Sequence, residues 1–450
     1  MDFISIGRGI FGLIVLLGIA FLFSNNKKKI DWKLVGSGIT LQFVFAILII
    51  KGDALGNFFA PFAYPLIFFR WVSSLFVMLL SFTTEGAVFV FGNLAKSPGS
   101  EGSIGVFFAF QVLPTIIFFA SITSILYYLG IMQKVVQAMA WVMLRIMGTS
   151  GAESLSCTAN IFIGQTEAPL MVKPYIKNMT NSELLTIMVG GMATIAGGVM
   201  AAYIQILGHS YSVLHNVPLE QAQLLFATHL IGASFMAAPA ALLISKIIYP
   251  ETNTPETKGK VKLAVEKNSS NVIEAAAAGA GDGLHLALNV AGMLIAFIAL
   301  IALVNYMLQG IGYYTGLNTT LMHNFGQPLN LQLILGFVFQ LIAMAIGVPT
   351  EAALQFGSLF GTKIVLNEFV AYVDLGNMIT LKQIVNQKAI YMATYALCGF
   401  ANFSSIAIQI GGLSPMAPNR RADIAKLGLK AVLGGSLATL MTATLAGILF

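Results

Sequence analysis

Gly164-Gln165-Thr166-Glu167-Ala168-Pro169-Leu170 is a short polar run set between two apolar helical arms, Glu153 to Ile163 before it and Met171 to Ile176 behind it. The arms together are too short and too punctuated for one spanning helix, which needs about 20 continuous apolar residues. The reading that fits is a re-entrant helical hairpin over about 149–176, its polar tip held at the depth where a membrane protein keeps a solute.

The chain around this hairpin has membrane composition throughout. Of 450 residues 57% are apolar and 9% charged, with a mean hydropathy of +0.84. A soluble domain carries about a quarter charged residues. Ile6 to Phe23 has no basic leader and no small-residue cleavage site, and further spans follow, so it reads as the first spanning helix rather than a removable signal. The net charge of +6 is concentrated at Lys27 to Lys33, at Arg145, Lys173 and Lys177, in the loop with Lys258, Lys260, Lys262 and Lys267, and at Arg420, Arg421 and Lys426. The positive-inside rule places all of these in the cytoplasm. Tyr313 to Gln332 carries no charge and suits the outer side. Both termini then fall outside, and the basic clusters need no nucleic-acid partner. Cys157 and Cys398 lie in apolar helical sequence and read as small buried hydrophobes, not a disulfide.

The expected architecture is an all-α polytopic membrane protein with eight transmembrane helices and two opposed re-entrant hairpins. The spans are Ile6–Phe23, Trp32–Ile50, Phe107–Leu129, Ser182–Ile204, Phe226–Ile248, Ala287–Met307, Ala389–Ile410 and Leu429–Leu449. Phe62 to Leu80 is apolar enough to span, but Pro61, Pro65, Arg70 and the polar patch Ser81 to Glu85 interrupt it. A full span there would put the basic loops outside, so it is expected to lie at the outer interface. Gln133–Met147 and Leu331–Ile346 read as interfacial helices, Leu207–Gln223 as an outer loop, and Tyr249–Ser270 as a charged inner loop with no reason to fold. The second hairpin, about 347–372, opens at Gly347-Val348-Pro349-Thr350-Glu351-Ala352, turns over Gly357 to Lys363 and returns through Asn367-Glu368-Phe369. Each hairpin has an early glutamate, a late polar pair with a glutamate, and a following span, and the two open from opposite sides. That is an inverted repeat, with residues 107–204 as the first half and 287–410 as the second. Residues 1–106 form an N-terminal helical pair and outer segment, 205–286 a connecting span with its loops, and 411–450 a closing span.

A carboxylate in the hydrocarbon region costs about 3 kcal/mol or more unless a partner or a cavity receives it. Glu153 and Glu351, at the starts of hairpin arms, read as structural or gating residues, whereas Glu167 and Glu368 in the polar cores face the solute. Gln165, Thr166 and Glu167 offer donors and acceptors that match the edge of a nucleobase. Glu368 with Asn402 and Ser405 suits a pair of sugar hydroxyls, and Phe400 a flat ring. Asn160, the carbonyls near Ile163 and the Thr194 hydroxyl form an all-oxygen set that suits a hard cation.

Three stretches in order carry a family likeness: Gly164 to Leu170, Asn367-Glu368-Phe369-Val370-Ala371-Tyr372, and Gly399-Phe400-Ala401-Asn402-Phe403-Ser404-Ser405-Ile406. In these the chain resembles the concentrative nucleoside transporters, bacterial members above all. The resemblance implies a homotrimer in the bacterial inner membrane, surrounded by lipid, whose hairpins slide against a scaffold in an elevator-like motion. It implies no enzyme. It places the base against Gln165, Thr166 and Glu167 with Val199 and Leu286 on the ring, and the ribose against Glu368, Asn402 and Ser405 with Phe400 beside it. It places a coupling sodium ion at Asn160, Ile163, Thr194 and Ile195, with Thr194 where the family's bacterial archetype has serine. The implied function is sodium-coupled import of nucleosides such as uridine, with a proton-coupled nucleoside symporter as the alternative.

Overall fold

The computed structural model describes residues 3–96, 101–105, 107–259 and 269–450. Lys260, Lys262 and Lys267 of the charged loop lie outside the described residues. The main helices are α1 (Phe3–Leu22), α2 (Trp32–Ile50), α3 (Tyr64–Phe91), α4 (Leu113–Tyr128), α5 (Ile131–Met147), α6 (Gly151–Ala159), α7 (Asn181–Ala193), α8 (Gly197–His215), α9 (Leu219–Ile248), α10 (Val272–Tyr314), α11 (Leu331–Ala345), α12 (Ala353–Val365), α13 (Glu368–Thr380), α14 (Gln387–Leu397), α15 (Phe403–Leu413) and α16 (Arg421–Leu449). Eight helical stretches among the described residues are long and apolar enough to cross a membrane.

That number equals the expected one, but its membership differs. The stretch expected at the interface is one 28-residue helix, α3, and it counts among the eight. The proline and the charges in its sequence do not break it. Pro65 sits in the first turn, where no amide donor is needed, and Arg70 is paired with Asp53 at 2.6 Å. Its path is also informative. Ile49, at the end of α2, packs on Gly232 of α9, and α3 then steps along the N-terminal half of α9: Phe69 against Phe235 with ring centroids 4.9 Å apart, Ser73 bonded to Thr228 at 3.2 Å, and Glu85 and Phe89 in a groove with Leu219 and Gln223. It therefore continues beyond the end of α2 before α4 returns beside it, with Phe76 on Phe119.

Conversely, the span expected over 389–410 is not continuous. It is α14 and α15, parted at 398–402, and the span expected over 182–204 is likewise α7 and α8, parted at 194–196. The two breaks touch: the Phe400 amide donates to the Thr194 carbonyl at 3.3 Å. Gly399 is required there, because a Cβ would come within 2.8 Å of the Met192 carbonyl oxygen. The outer loop expected over 207–223 is almost wholly helix, with only 216–218 joining α8 to α9. Gly357 and Gly361 do not turn the second hairpin. They lie within α12, where bare backbone lets α11 pack closely, and the turn falls at Leu366 and Asn367.

The core lies where the broken helices meet α9 and α16. The spanning windows of α9 and α16 are each 94% buried, against 22% for α1 and α10. Helices so apolar and yet so exposed fit a lipid face. The described part of the charged loop is docked rather than free: the Thr257 carbonyl accepts from the Gly151 amide at 3.0 Å, and the Thr257 hydroxyl accepts from the Ala152 amide at 3.0 Å.

Candidate functional site

Both broken elements of the first half start on a side-chain cap that the sequence supplies. Ser150 and Glu153 form a capping box that opens α6, and Thr180 and Glu183 form another that opens α7. Both are tied to α9. Lys246 lies 2.6 Å from Glu153 and donates to Ser182 at 2.9 Å, while Ser150 donates to Glu183 at 2.6 Å. Glu153 is thus held by a partner at the foot of the first hairpin, as its position predicts. Glu351, at the foot of the second, is exposed and accepts from Asn386.

Beyond α6 the chain leaves the helix at Asn160 and forms the polar tip. The Gly164 amide donates to Glu167 at 3.1 Å, curling the tip on itself. Gln165 is buried and uses both ends of its amide: its nitrogen donates to Ser405 and its oxygen accepts from Gln409, each at 3.1 Å. Thr166 packs against Gly412.

In the second half Asn367 caps α13 and Asn402 caps α15, each by accepting backbone amides of the first turn. The Asn402 oxygen is used in that cap, and its nitrogen donates to one oxygen of Glu368 at 3.1 Å. Tyr203 donates to the other at 3.1 Å. Glu368 is buried, so two donors offset its removal from water.

The expected residues therefore fall into two groups. Gln165, Glu368, Asn402 and Ser405 form a buried hydrogen-bonded cluster at the meeting point of both hairpins and both breaks, with Val199 buried one turn before Tyr203 and Phe400 half-buried at the second break. Glu167 and Leu286 instead line a cavity of about 350 Å³ with Ile163, Tyr127, Gly197 and Asp282. It extends to Lys173, Pro174 and Ser269, the side of the charged loop. A volume of that order suits a small-molecule ligand.

Three residues of these groups escaped the sequence. Tyr203 and Gln409 each lie one helical turn beyond an expected residue, Val199 and Ser405, and that spacing was the available signal. Asp282 likewise lies one helical turn before the expected Leu286 on α10, and the tertiary fold brings that turn to the first tip.

Around the expected ion position, Asn160 is fully buried. Its nitrogen donates to the Ser156 carbonyl at 2.9 Å, and its oxygen has no hydrogen-bond partner. The Thr194 hydroxyl donates to the Gly190 carbonyl at 3.0 Å, which leaves its lone pairs available. Among the described residues no hydrogen bond reaches the carbonyls of Ile163 or Ile195. An orphaned side-chain oxygen, a hydroxyl and two open carbonyls form a donor set that fits a hard monovalent cation.

Family models described as "Na+ dependent nucleoside transporter N-terminus", "Nucleoside recognition" and "Na+ dependent nucleoside transporter C-terminus" match residues 11–94, 109–210 and 229–447. An uncharacterized transporter of Haemophilus influenzae is 44% identical over 99% of this chain and 98% of its own. Mouse solute carrier family 28 member 3 is 40% identical over 97% of this chain, which spans 58% of that longer protein. Among solved structures, CNTnw in an inward-facing substrate-bound state shares 38% identity and a TM-score of 0.83 over 98% of both chains. The matches run nearly end to end, through both hairpins and both breaks, and on them the chain belongs to the concentrative nucleoside transporter family.

Proposed function

We propose that the protein imports nucleosides across a bacterial inner membrane, driven by a cation. The observation that carries the reading is the buried cluster of Gln165, Glu368, Asn402 and Ser405, in which two hairpin segments and a helix break pool donors and acceptors. Ribose hydroxyls would exchange with Asn402 and Tyr203 at the Glu368 carboxylate, and a nucleobase edge with Ser405 and Gln409 at the Gln165 amide. Thr166 and Glu167 complete the base side, with Val199, Leu286 and Phe400 supplying apolar contact. The two helix–turn–helix segments act as re-entrant hairpins, moving with the broken helices as an elevator against a scaffold that includes α10. The exposed apolar faces of that scaffold suit lipid and a homotrimer contact. The charged-loop side is the cytoplasmic side, both termini are periplasmic, and the cavity is then an inward vestibule.

Two ions fit different residues. Sodium fits Asn160, Ile163, Thr194 and Ile195, where the unpartnered Asn160 oxygen supports it. A proton fits the cavity that the Glu167 and Asp282 carboxylates both line. Two of the three family models matched bear sodium in their descriptions.

Uptake of uridine, cytidine and adenosine by purified protein in liposomes, under an imposed sodium gradient and then a proton gradient, tests both levels. Saturable accumulation under either gradient supports the function and identifies the ion. Uptake that is non-saturating and gradient-independent under both would sink the transporter reading in favour of a passive pore.

A further inference from the structure

The two broken helices meet at their breaks, yet the backbone oxygens that the breaks release are treated differently. A helix end leaves its last four carbonyls without partners inside the helix. At the end of α7, the Gly190 carbonyl is taken by the Thr194 hydroxyl, and among the described residues no hydrogen bond reaches those of Gly191, Met192 or Ala193. At the end of α14 all four are taken. Thr394 receives the Tyr372 hydroxyl at 2.8 Å, Tyr395 the Cys398 amide at 3.2 Å, Leu397 the Gly399 amide at 2.8 Å, and Ala396 the ammonium of Lys363 at 2.8 Å.

Lys363 is fully buried on α12. Its second contact is the Thr439 oxygen at 3.0 Å, which accepts because the Thr439 hydroxyl donates to the Ser436 carbonyl at 3.1 Å. Its third is the face of Phe360, 5.6 Å from the ring centroid. A carbonyl, a hydroxyl oxygen and an aromatic face make three acceptors for three N–H bonds, the full complement of an ammonium group. Lys363 stands four residues before the tip residue Asn367, much as Asn160 stands five before Gln165. In the first half that position carries a buried oxygen without a hydrogen-bond partner, and in the second a positive charge that reaches the break.

We infer that Lys363 is a tethered cation occupying, in the second half of the repeat, the place proposed for sodium in the first. It keeps the break at 398–402 in one shape whatever ions are present, so that Asn402 stays on its cap and faces Glu368. Only the first hairpin then waits for an ion, and the ribose side of the site stands ready. Lys363 touches none of the expected ligand atoms and is a positioning residue. The functional part of this inference rests on the nucleoside-transport reading, while the cation position itself does not.

The test compares wild type, Lys363→Ala and Lys363→Arg as full-length protein, with ethylammonium as the probe and tetramethylammonium, which has no N–H to donate, as the control. Lys363→Ala should raise the KM for uridine about tenfold or more, because it leaves a buried carbonyl and hydroxyl oxygen without their donor, and should change maximal turnover far less. Ethylammonium should restore the KM and raise the melting temperature of Lys363→Ala, tetramethylammonium should do neither, and Lys363→Arg should keep more affinity than Lys363→Ala. A Lys363→Ala protein that assembles normally and keeps wild-type KM, or that responds to neither amine, overturns the inference. Should Lys363→Ala not fold, Thr439→Val carries the test, since removing one acceptor must raise the KM with turnover kept, and an unchanged KM overturns it. A wild type that moves no nucleoside would sink the transport reading, yet ethylammonium-dependent melting of Lys363→Ala would still report the cation position.

Discussion

The Gln165 amide nitrogen donates to the Ser405 hydroxyl at 3.1 Å, fastening the tip of the first hairpin to the second broken helix, 240 residues away in the chain. A buried neutral hydrogen bond contributes about 1 kcal/mol net, and more is lost when one partner is left behind. Gln165→Ala and Ser405→Ala should each weaken uridine uptake about fivefold or more, and the double variant should lose less than the product of the two. Strictly multiplicative losses in KM would show that the two residues do not act together.

Glu368 receives Tyr203 and Asn402, one on each oxygen. Hydrogen bonds to an ionised group contribute about 1.5–3 kcal/mol, so Glu368→Gln should cut the apparent affinity for ribonucleosides about tenfold to a hundredfold while the protein still assembles. Tyr203→Phe should cost less, because the carboxylate keeps its other partner. Equilibrium binding of uridine to the purified variants checks this, and wild-type affinity in Glu368→Gln would remove Glu368 from the site.

At the foot of the first hairpin Lys246 and Glu153 are 2.6 Å apart and both buried. Removing one member of a buried pair strands the other, at about 3–5 kcal/mol, whereas removing both is far milder. Lys246→Met should lower the melting temperature sharply, and adding Glu153→Gln to it should recover much of the loss. A double variant less stable than Lys246→Met would show that Glu251, 3.6 Å from Lys246, is the partner that matters more.

Gly399→Ala should abolish uptake and destabilise the protein, because its Cβ would meet the Met192 carbonyl oxygen and the Thr439 methyl, each at 2.8 Å. Overpacking of this kind costs about 1–3 kcal/mol, and here it would push the two breaks apart. Normal uptake by Gly399→Ala would mean that the breaks separate freely without consequence.

Asn160→Ala removes the unpartnered oxygen at the first break. If sodium drives uptake, half-maximal activation should need at least about tenfold more sodium, the loss expected when one charge-assisted contact goes. Uptake titrated with sodium chloride at constant ionic strength reads this directly, and an unchanged sodium dependence would move the ion elsewhere.

The polar tip segments were legible because their signal is local. A polar run between apolar arms too short to span can be read from a few dozen residues, as at Gly164 to Leu170 and around Asn367 and Glu368. The breaks in α7–α8 and α14–α15 were not, because Ala193 to Ala196 and Leu397 to Asn402 look like interior helix by composition. What parts them is the docking of one break on the other. Nor was the length of α3 visible, since Arg70 counts as an interruption until Asp53 neutralises it.

Hydropathy, charge placement and three polar stretches determined by themselves that this is a polytopic helical membrane protein of the concentrative nucleoside transporter family, since each of these is a property of neighbouring residues. Tertiary structure alone decided which polar groups are spent on the protein and which remain open: Gln165 on Ser405 and Gln409, Glu368 on Tyr203 and Asn402, Lys363 on Ala396, against an unpaired oxygen on Asn160. A side chain's hydrogen-bonding capacity is written in its chemistry, but whether a partner reaches it depends on segments hundreds of residues apart meeting in a solvent that offers none.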